Sequence, residues 1–302
     1  MTPSRRTLYG IAASLGMLGG MHGANVACAE PESRSPTTSV VRSADKVPIA
    51  YDVRGTGSTA LVFVHGWSCD RTYWAEQLPY FAERYTVVSL DLAGHGESGA
   101  GRKSWTIPSY GNDVAAVVKA LRLKHVILIG HSMGGDVVTE AARHLKANTF
   151  GLIWLDTYKA LGPGRSPESV DAIVDGLRQN FRESTQALVK GMFIPDSDPY
   201  LVENVVADMS SAPPEVALPS LHASLSYSRE ITKTLRELQI PVIAINADNA
   251  PTDTDSMGQY GVDVVVMQGV GHFMMLEAPR HFNAVLNAEI EQILQQSHKG
   301  TR

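Results

Sequence analysis

A chain of 302 residues, 44% hydrophobic and 19% charged, is long enough for one sizeable core and excludes collagen, coiled-coil and wholly disordered classes. A formal charge of −5 gives no general electrostatic reason to bind nucleic acid or an anionic membrane surface.

The N-terminus reads as an export signal. Arg5 and Arg6 are followed by an uncharged, apolar and glycine-rich stretch from Leu8 to Met21, and then by Ala27-Cys28-Ala29. That small-x-small pattern predicts cleavage before Glu30, with residues 1–29 as signal peptide. The apolar run is too short and too glycine-rich to span a membrane well. Ser4-Arg5-Arg6-Thr7-Leu8 also resembles the twin-arginine export motif, so both that route and the general secretory route stay open. Either implies a periplasmic or extracellular protein. Cleavage takes the formal charge to −7 and leaves Cys69 as the sole cysteine, so no internal disulfide is expected.

Residues 30–37 are polar and contain proline, as a tether would. Strands and helices then alternate. Strands are predicted over 47–54, 60–64, 85–90, 126–129, 150–155, 240–245 and 262–267. Helices are predicted over 74–84, 107–121 and 135–146, and from Pro279 onward. Runs such as Ala60-Leu-Val-Phe-Val64 are continuously apolar, the mark of strands buried on both faces. Alternation of this kind implies a mostly parallel sheet with helices on both faces. The stretch 157–239 breaks it. Helices are predicted over 171–182, 185–193, 200–209 and 214–228, with no clear strand, and an insertion of that length is usually a lid or binding element.

The central chemical signal is Gly130-His131-Ser132-Met133-Gly134, which joins the strand from Val126 to a helix. A Gly-x-Ser-x-Gly turn between strand and helix is sharp and strained, and its glycines make room for the crossing backbone. The turn lifts the Ser132 hydroxyl above the sheet edge. It also aims the Met133 N–H, at the start of the helix, toward a developing oxyanion. A serine nucleophile needs a base that titrates near neutrality. His272, flanked by glycine on a loop after the last strand, stands at the edge where catalytic groups gather in such sheets.

With these pieces placed, the chain resembles the α/β-hydrolase superfamily from about residue 40 to 297. Asp91-Leu-Ala-Gly-His-Gly-Glu-Ser98 belongs to the resemblance, with Asp91 and His95 expected to be structural. The resemblance implies an α/β-hydrolase fold whose core is residues 38–156 and 240–302. A helical cap, 157–239, is inserted after the sixth strand of that fold's order. It implies a second oxyanion donor after Val64-His65-Gly66, the backbone N–H of Trp67, with His65 packed beneath. It also implies an acidic third partner, usually Asp in a turn after the penultimate strand, where this chain has Ala250. Asp156, closing the preceding strand, is favoured. Asp248 and Asp253 remain alternatives.

The expected activity is a serine hydrolase acting on small carboxylic esters or lactones through Ser132, His272 and Asp156. Its cap residues Met192, Phe193 and Leu221 are placed to line the acyl site. A carbon–carbon bond hydrolase, a cofactor-free perhydrolase and a non-catalytic binding module are the competing readings. No metal or cofactor motif is present in the sequence, and oligomeric state is left open.

Overall fold

The computed structural model describes residues 38–299. The expected signal peptide and the tether lie outside the described residues. Among those described, eight strands form one sheet: β1 (Ser39–Arg42), β2 (Pro48–Arg54), β3 (Ala60–Val64), β4 (Thr86–Leu90), β5 (Val126–His131), β6 (Thr149–Leu155), β7 (Val242–Ala247) and β8 (Val262–Met267). Their order across the sheet is β1-β2-β4-β3-β5-β6-β7-β8. The pairs β1–β2 and β2–β4 are antiparallel and the rest parallel. Every residue of β3, β5 and β7 is buried, as a strand covered on both faces requires.

Helices α1 (Gln77–Ala82), α2 (Ile107–Ala120) and α3 (Met133–His144) follow β3, β4 and β5. Between β6 and β7 lie α4 (Pro167–Gln179), α5 (Phe181–Lys190), α6 (Pro199–Met209), α7 (Pro214–Tyr227) and α8 (Ile231–Leu238). Two short helices, α9 (Thr254–Gly258) and α10 (Met274–Glu277), precede the terminal α11 (Pro279–Lys299). α2 and α3 pack on one another and on the sheet, while α1 and α11 form the second pair. The predicted stripe on α11 faces inward: Phe282, Leu286, Ile290 and Ile293 are fully buried.

Four readings change. β1 is an additional strand at the sheet edge. α8, α9 and α10 are additional helices. The predicted helix over 74–84 is a 3₁₀ turn at Arg71–Trp74 followed by the short α1, because Pro79 has no N–H to continue one helix across the junction. α3 starts at Met133 rather than Gly135, which places the helix N-terminus directly after Ser132. No helix among the described residues is long and apolar enough to cross a membrane.

Candidate active site

The turn after β5 carries the strain that its sequence implies. Ser132 has φ 53° and ψ −121°, a region that residues with a Cβ rarely occupy. Its N–H donates to the carbonyl of Leu155 at 2.9 Å, tying the turn to the end of β6. A Cβ on Gly130 would stand 2.2 Å from the Gly134 carbonyl oxygen, and one on Gly134 would stand 2.4 Å from that of Val64. Both obstacles are backbone and cannot rotate away. Gly130→Ala is therefore expected to cost about 3 kcal/mol, the upper end of what overpacking costs, measured by denaturant unfolding. A change below about 0.5 kcal/mol, typical of unconstrained surface sites, would show that the turn relaxes freely.

The ends of β5, β6 and the loop after β8 bring the chemistry together. His272 Nδ1 lies 2.6 Å from Asp156 Oδ2. Asp156 is buried, and its own φ is 50°. Its Oδ1 accepts from the Ala247 N–H at 2.9 Å and pairs with the Lys159 ammonium at 2.7 Å. Burial alone would raise the pKa of this carboxyl. The hydrogen bond and charge of His272, then those of Lys159, outweigh it and bring the pKa down to about 2. Asp156 is thus an anion throughout the neutral range. The His272 backbone N–H donates to the Met192 carbonyl at 2.8 Å, which fixes the loop from the insertion side. Among the described residues no hydrogen bond joins the Ser132 hydroxyl to His272. Both side chains line the same cavity, and contacts of this type often tighten only with substrate in place.

The other acids are engaged elsewhere. Asp248 is exposed and accepts from Gly269 N at 2.9 Å and Val270 N at 3.4 Å, shaping the approach to His272 without touching its ring. Asp253 caps α9 through Ser256 N. Asp91 binds Arg71 and the Glu97 N–H, a structural role as expected. His65 lies beneath the site. Its Nδ1–H donates to Gly66 O at 2.8 Å and its Nε2 accepts from Leu92 N at 3.0 Å. Burial lowers its pKa to about 4, so it is neutral.

Neither the Trp67 nor the Met133 backbone N–H donates to a backbone carbonyl among the described residues. Both residues line the cavity beside Ser132. The Trp67 indole N–H donates to Ala217 O on α7 at 2.7 Å, so the loop that carries this N–H is anchored to the insertion. The cavity holds about 840 Å³. Ile173, Leu188, Leu221, Leu225 and Ile231 from α4, α5, α7 and α8 give it an apolar wall. Met192 lines it as expected. Phe193 is not among its lining residues and stacks on Phe273 instead, ring centres 5.0 Å apart.

Sequence reading missed three participants. His131, the residue before the nucleophile, donates from Nε2 to the His272 carbonyl at 2.9 Å. Burial and the neighbouring His272 lower its pKa to about 3, which keeps it neutral. Lys159 is the second. The third is Asp136, whose buried carboxylate accepts from Tyr158 Oη at 2.5 Å and Ser224 Oγ at 2.6 Å. Burial raises its pKa to about 7, against the two hydrogen bonds. Spacing alone gave a faint signal for Asp136, one helical turn after Ser132 on the same face.

Asp136 makes stability depend on pH. The fold holds its proton more tightly than the unfolded chain does. The contribution is complete below the ordinary value of 3.8 and lost as pH rises through about 7. Asp136→Asn keeps the neutral form at every pH. It is expected to flatten the stability loss between pH 4 and pH 8 by an amount on the order of a few kcal/mol. Denaturant unfolding of both proteins at the two pH values measures it, and parallel curves would count against an uncharged Asp136.

The sequence profile described as "Alpha/beta hydrolase family" matches residues 61–285. The chain belongs to the alpha/beta hydrolase family. It is accordingly a hydrolase. It is 25% identical over 258 residues to "3-oxoadipate enol-lactonase 2" of Acinetobacter baylyi, covering 83% of this chain and 96% of that protein. Over 106 residues it is 37% identical to a non-heme haloperoxidase of Rhodococcus erythropolis, 34% of this chain and 38% of that protein. A thermophilic esterase from Thermogutta terrifontis superposes with a TM-score of 0.73 at 22% identity, covering 85% of this chain and 99% of the esterase. Est816, described as an N-acyl homoserine lactone degrading enzyme, superposes with a TM-score of 0.72 at 24% identity, covering 83% and 99%.

Proposed function

We propose that this alpha/beta hydrolase cleaves carboxylic esters or lactones through an acyl-enzyme on Ser132. The observation that carries the reading is the 2.6 Å contact between Asp156 and His272 at the wall of the cavity that Ser132 enters. His272 takes the Ser132 proton at Nε2 while Nδ1–H donates to Asp156. The serine oxygen attacks the carbonyl carbon, and the Met133 and Trp67 N–H groups hold the oxyanion. Loss of one such donor costs about 2.7–4 kcal/mol of transition-state stabilisation. The proton then passes to the departing alcohol. Water attacks the acyl-enzyme with His272 again as base, and Ser132 is regenerated.

An apolar wall of five aliphatic residues suits an acyl chain, and the similar proteins include an enol-lactonase and an N-acyl homoserine lactone degrading enzyme. A panel of esters, lactones and thioesters of graded chain length tests the reading, together with fluorophosphonate labelling. Labelling at Ser132 with turnover of at least one ester or lactone series is expected. A protein that neither labels nor turns over any of them is a binding module instead. The haloperoxidase similarity favours one second reading, in which hydrogen peroxide replaces water in the second half-reaction and releases a peracid. Peracid formation from a short carboxylic acid and peroxide separates the two.

We also propose that residues 157–239 act as a cap governing substrate range, and that the protein is exported after cleavage before Glu30. Leader-like residues 5–29 support the second point. Intact-mass measurement of the secreted protein is expected to show Glu30 first, and a species retaining Met1 would overturn it.

A further inference from the structure

Lys159 sits on the loop that follows β6, three residues after Asp156. Its Nζ lies 2.7 Å from Asp156 Oδ1, donates to the Ala247 carbonyl at 2.5 Å and reaches Asn249 Oδ1 at 3.3 Å. Ala247 in turn donates its own N–H to the same Asp156 oxygen at 2.9 Å. The carboxylate, the ammonium and both polar groups of one peptide residue therefore close a ring at the end of β7. The backbone of Lys159 is held as well, since its carbonyl accepts from Asp253 N at 2.7 Å. The side chain is 27% exposed and lines the cavity, whereas an ordinary surface lysine points its charge to water.

We propose that Lys159 is a positioning residue of the catalytic site, clamping Asp156 to the end of β7 and offsetting part of the charge that Asp156 presents to His272. The inference rests on the proposed triad. Two physical effects follow from the ring. Asp156 stands on a strained backbone with φ 50°, and two donors on one oxygen fix the other oxygen toward His272. The ammonium also offsets part of the carboxylate charge that would otherwise stabilise the imidazolium.

The groups that face this pair are few. His131 lies against the His272 ring, with centroids 4.5 Å apart, and is neutral. Glu277 accepts from the Gly271 and Phe273 N–H groups that flank His272. Asp248 and Asp253 stand on the loop after β7, beside Lys159. Across the cavity are Asp136 and Arg165. Among the lysines and arginines of the described residues, Lys159 is the one in contact with Asp156.

The test is the pH dependence of kcat/KM for one ester substrate, measured on wild type, Lys159→Met, Lys159→Gln and Lys159→Arg. Removing the charge is expected to move the midpoint of the acid limb upward by about one pH unit, a tenfold change in proton affinity. The alkaline plateau is expected to fall by less than about tenfold, because Ala247 still orients the acid. Lys159→Arg is expected to bring the midpoint back to within about 0.3 unit, since it keeps a cation. Thermal melts and fluorophosphonate labelling on the plateau establish that each variant is folded. If one neutral variant fails to fold, the other carries the measurement. A plateau loss with an unmoved midpoint in a folded neutral variant overturns the inference, because a merely structural lysine behaves that way. Failure of the triad itself is separable: Asp156→Asn would then turn over normally. An inactive Asp156→Asn with an unmoved limb in the lysine variants overturns only the role of Lys159.

Discussion

Replacing Ser132 by Ala is expected to lower turnover roughly 10⁴- to 10⁶-fold while the protein stays folded. The argument has two parts. The hydroxyl is the sole nucleophile of the proposed acyl transfer, and the base has nothing else to activate in the first half-reaction. His272→Ala is expected to cost about as much, since nucleophile and base act as a unit and removing either removes both. The fold is expected to survive because Ser132 is held by its backbone, through the N–H bond to Leu155 and the room left by Gly130 and Gly134. Alanine preserves each of these. Initial rates on the best ester of the panel, with a thermal melt alongside, decide the matter. Retention of a tenth of wild-type turnover by Ser132→Ala would falsify the mechanism.

Asp156→Asn is the second large effect, on the order of 10⁴-fold in kcat. The surroundings determine which way the new amide faces. The position of Oδ1 is fixed by two donors, the Ala247 N–H and the Lys159 ammonium. The amide oxygen must take that place, which turns the NH₂ group toward His272. Nδ1 can then only accept, so the ring carries its proton on Nε2 and cannot receive one from Ser132. Asp248→Asn is expected to stay within about threefold of wild type, the range of an exposed substitution. An amide oxygen can still accept from Gly269 and Val270. A severe Asp248→Asn beside a mild Asp156→Asn would reverse the assignment.

Much of this was legible in the sequence for identifiable reasons. Buried parallel strands are continuous apolar runs, so β3, β5 and β6 were placed within a residue or two. Asp156, at the end of the strand beside that of Ser132, was favoured as the acid with Asp248 and Asp253 left open, and it is the carboxylate that meets the His272 ring. What was missed lacked a local signal. β1 is short, at the sheet edge, and follows a polar stretch. α8 ends on Gln239 with φ 53° where a glycine stop is usual, and begins without a side-chain cap. Lys159, His131 and Asp136 each have a partner 88 or 141 residues away in sequence, besides nearer ones for Lys159 and Asp136, and no periodicity reports such distant contacts. Phe193 was assigned to the cavity on hydrophobicity alone, and packing against Phe273 took it elsewhere.

The Met192 carbonyl that receives the His272 N–H limits how freely the part of the chain between the sixth and seventh strands can be exchanged with that of a relative. The strands bring their own fastenings: Ser132 to Leu155, Asp156 to Ile245. The histidine loop instead borrows one from the segment that also walls the cavity. A chimera that swapped residues 157–239 wholesale to import a new substrate range would carry off that acceptor. Grafts that keep 191–193 in place, or supply a carbonyl at the same spot, preserve the base. Within the insertion, the turn after α5 thus joins Lys159 and the Ala217 carbonyl as places where selectivity cannot be exchanged without touching catalytic support.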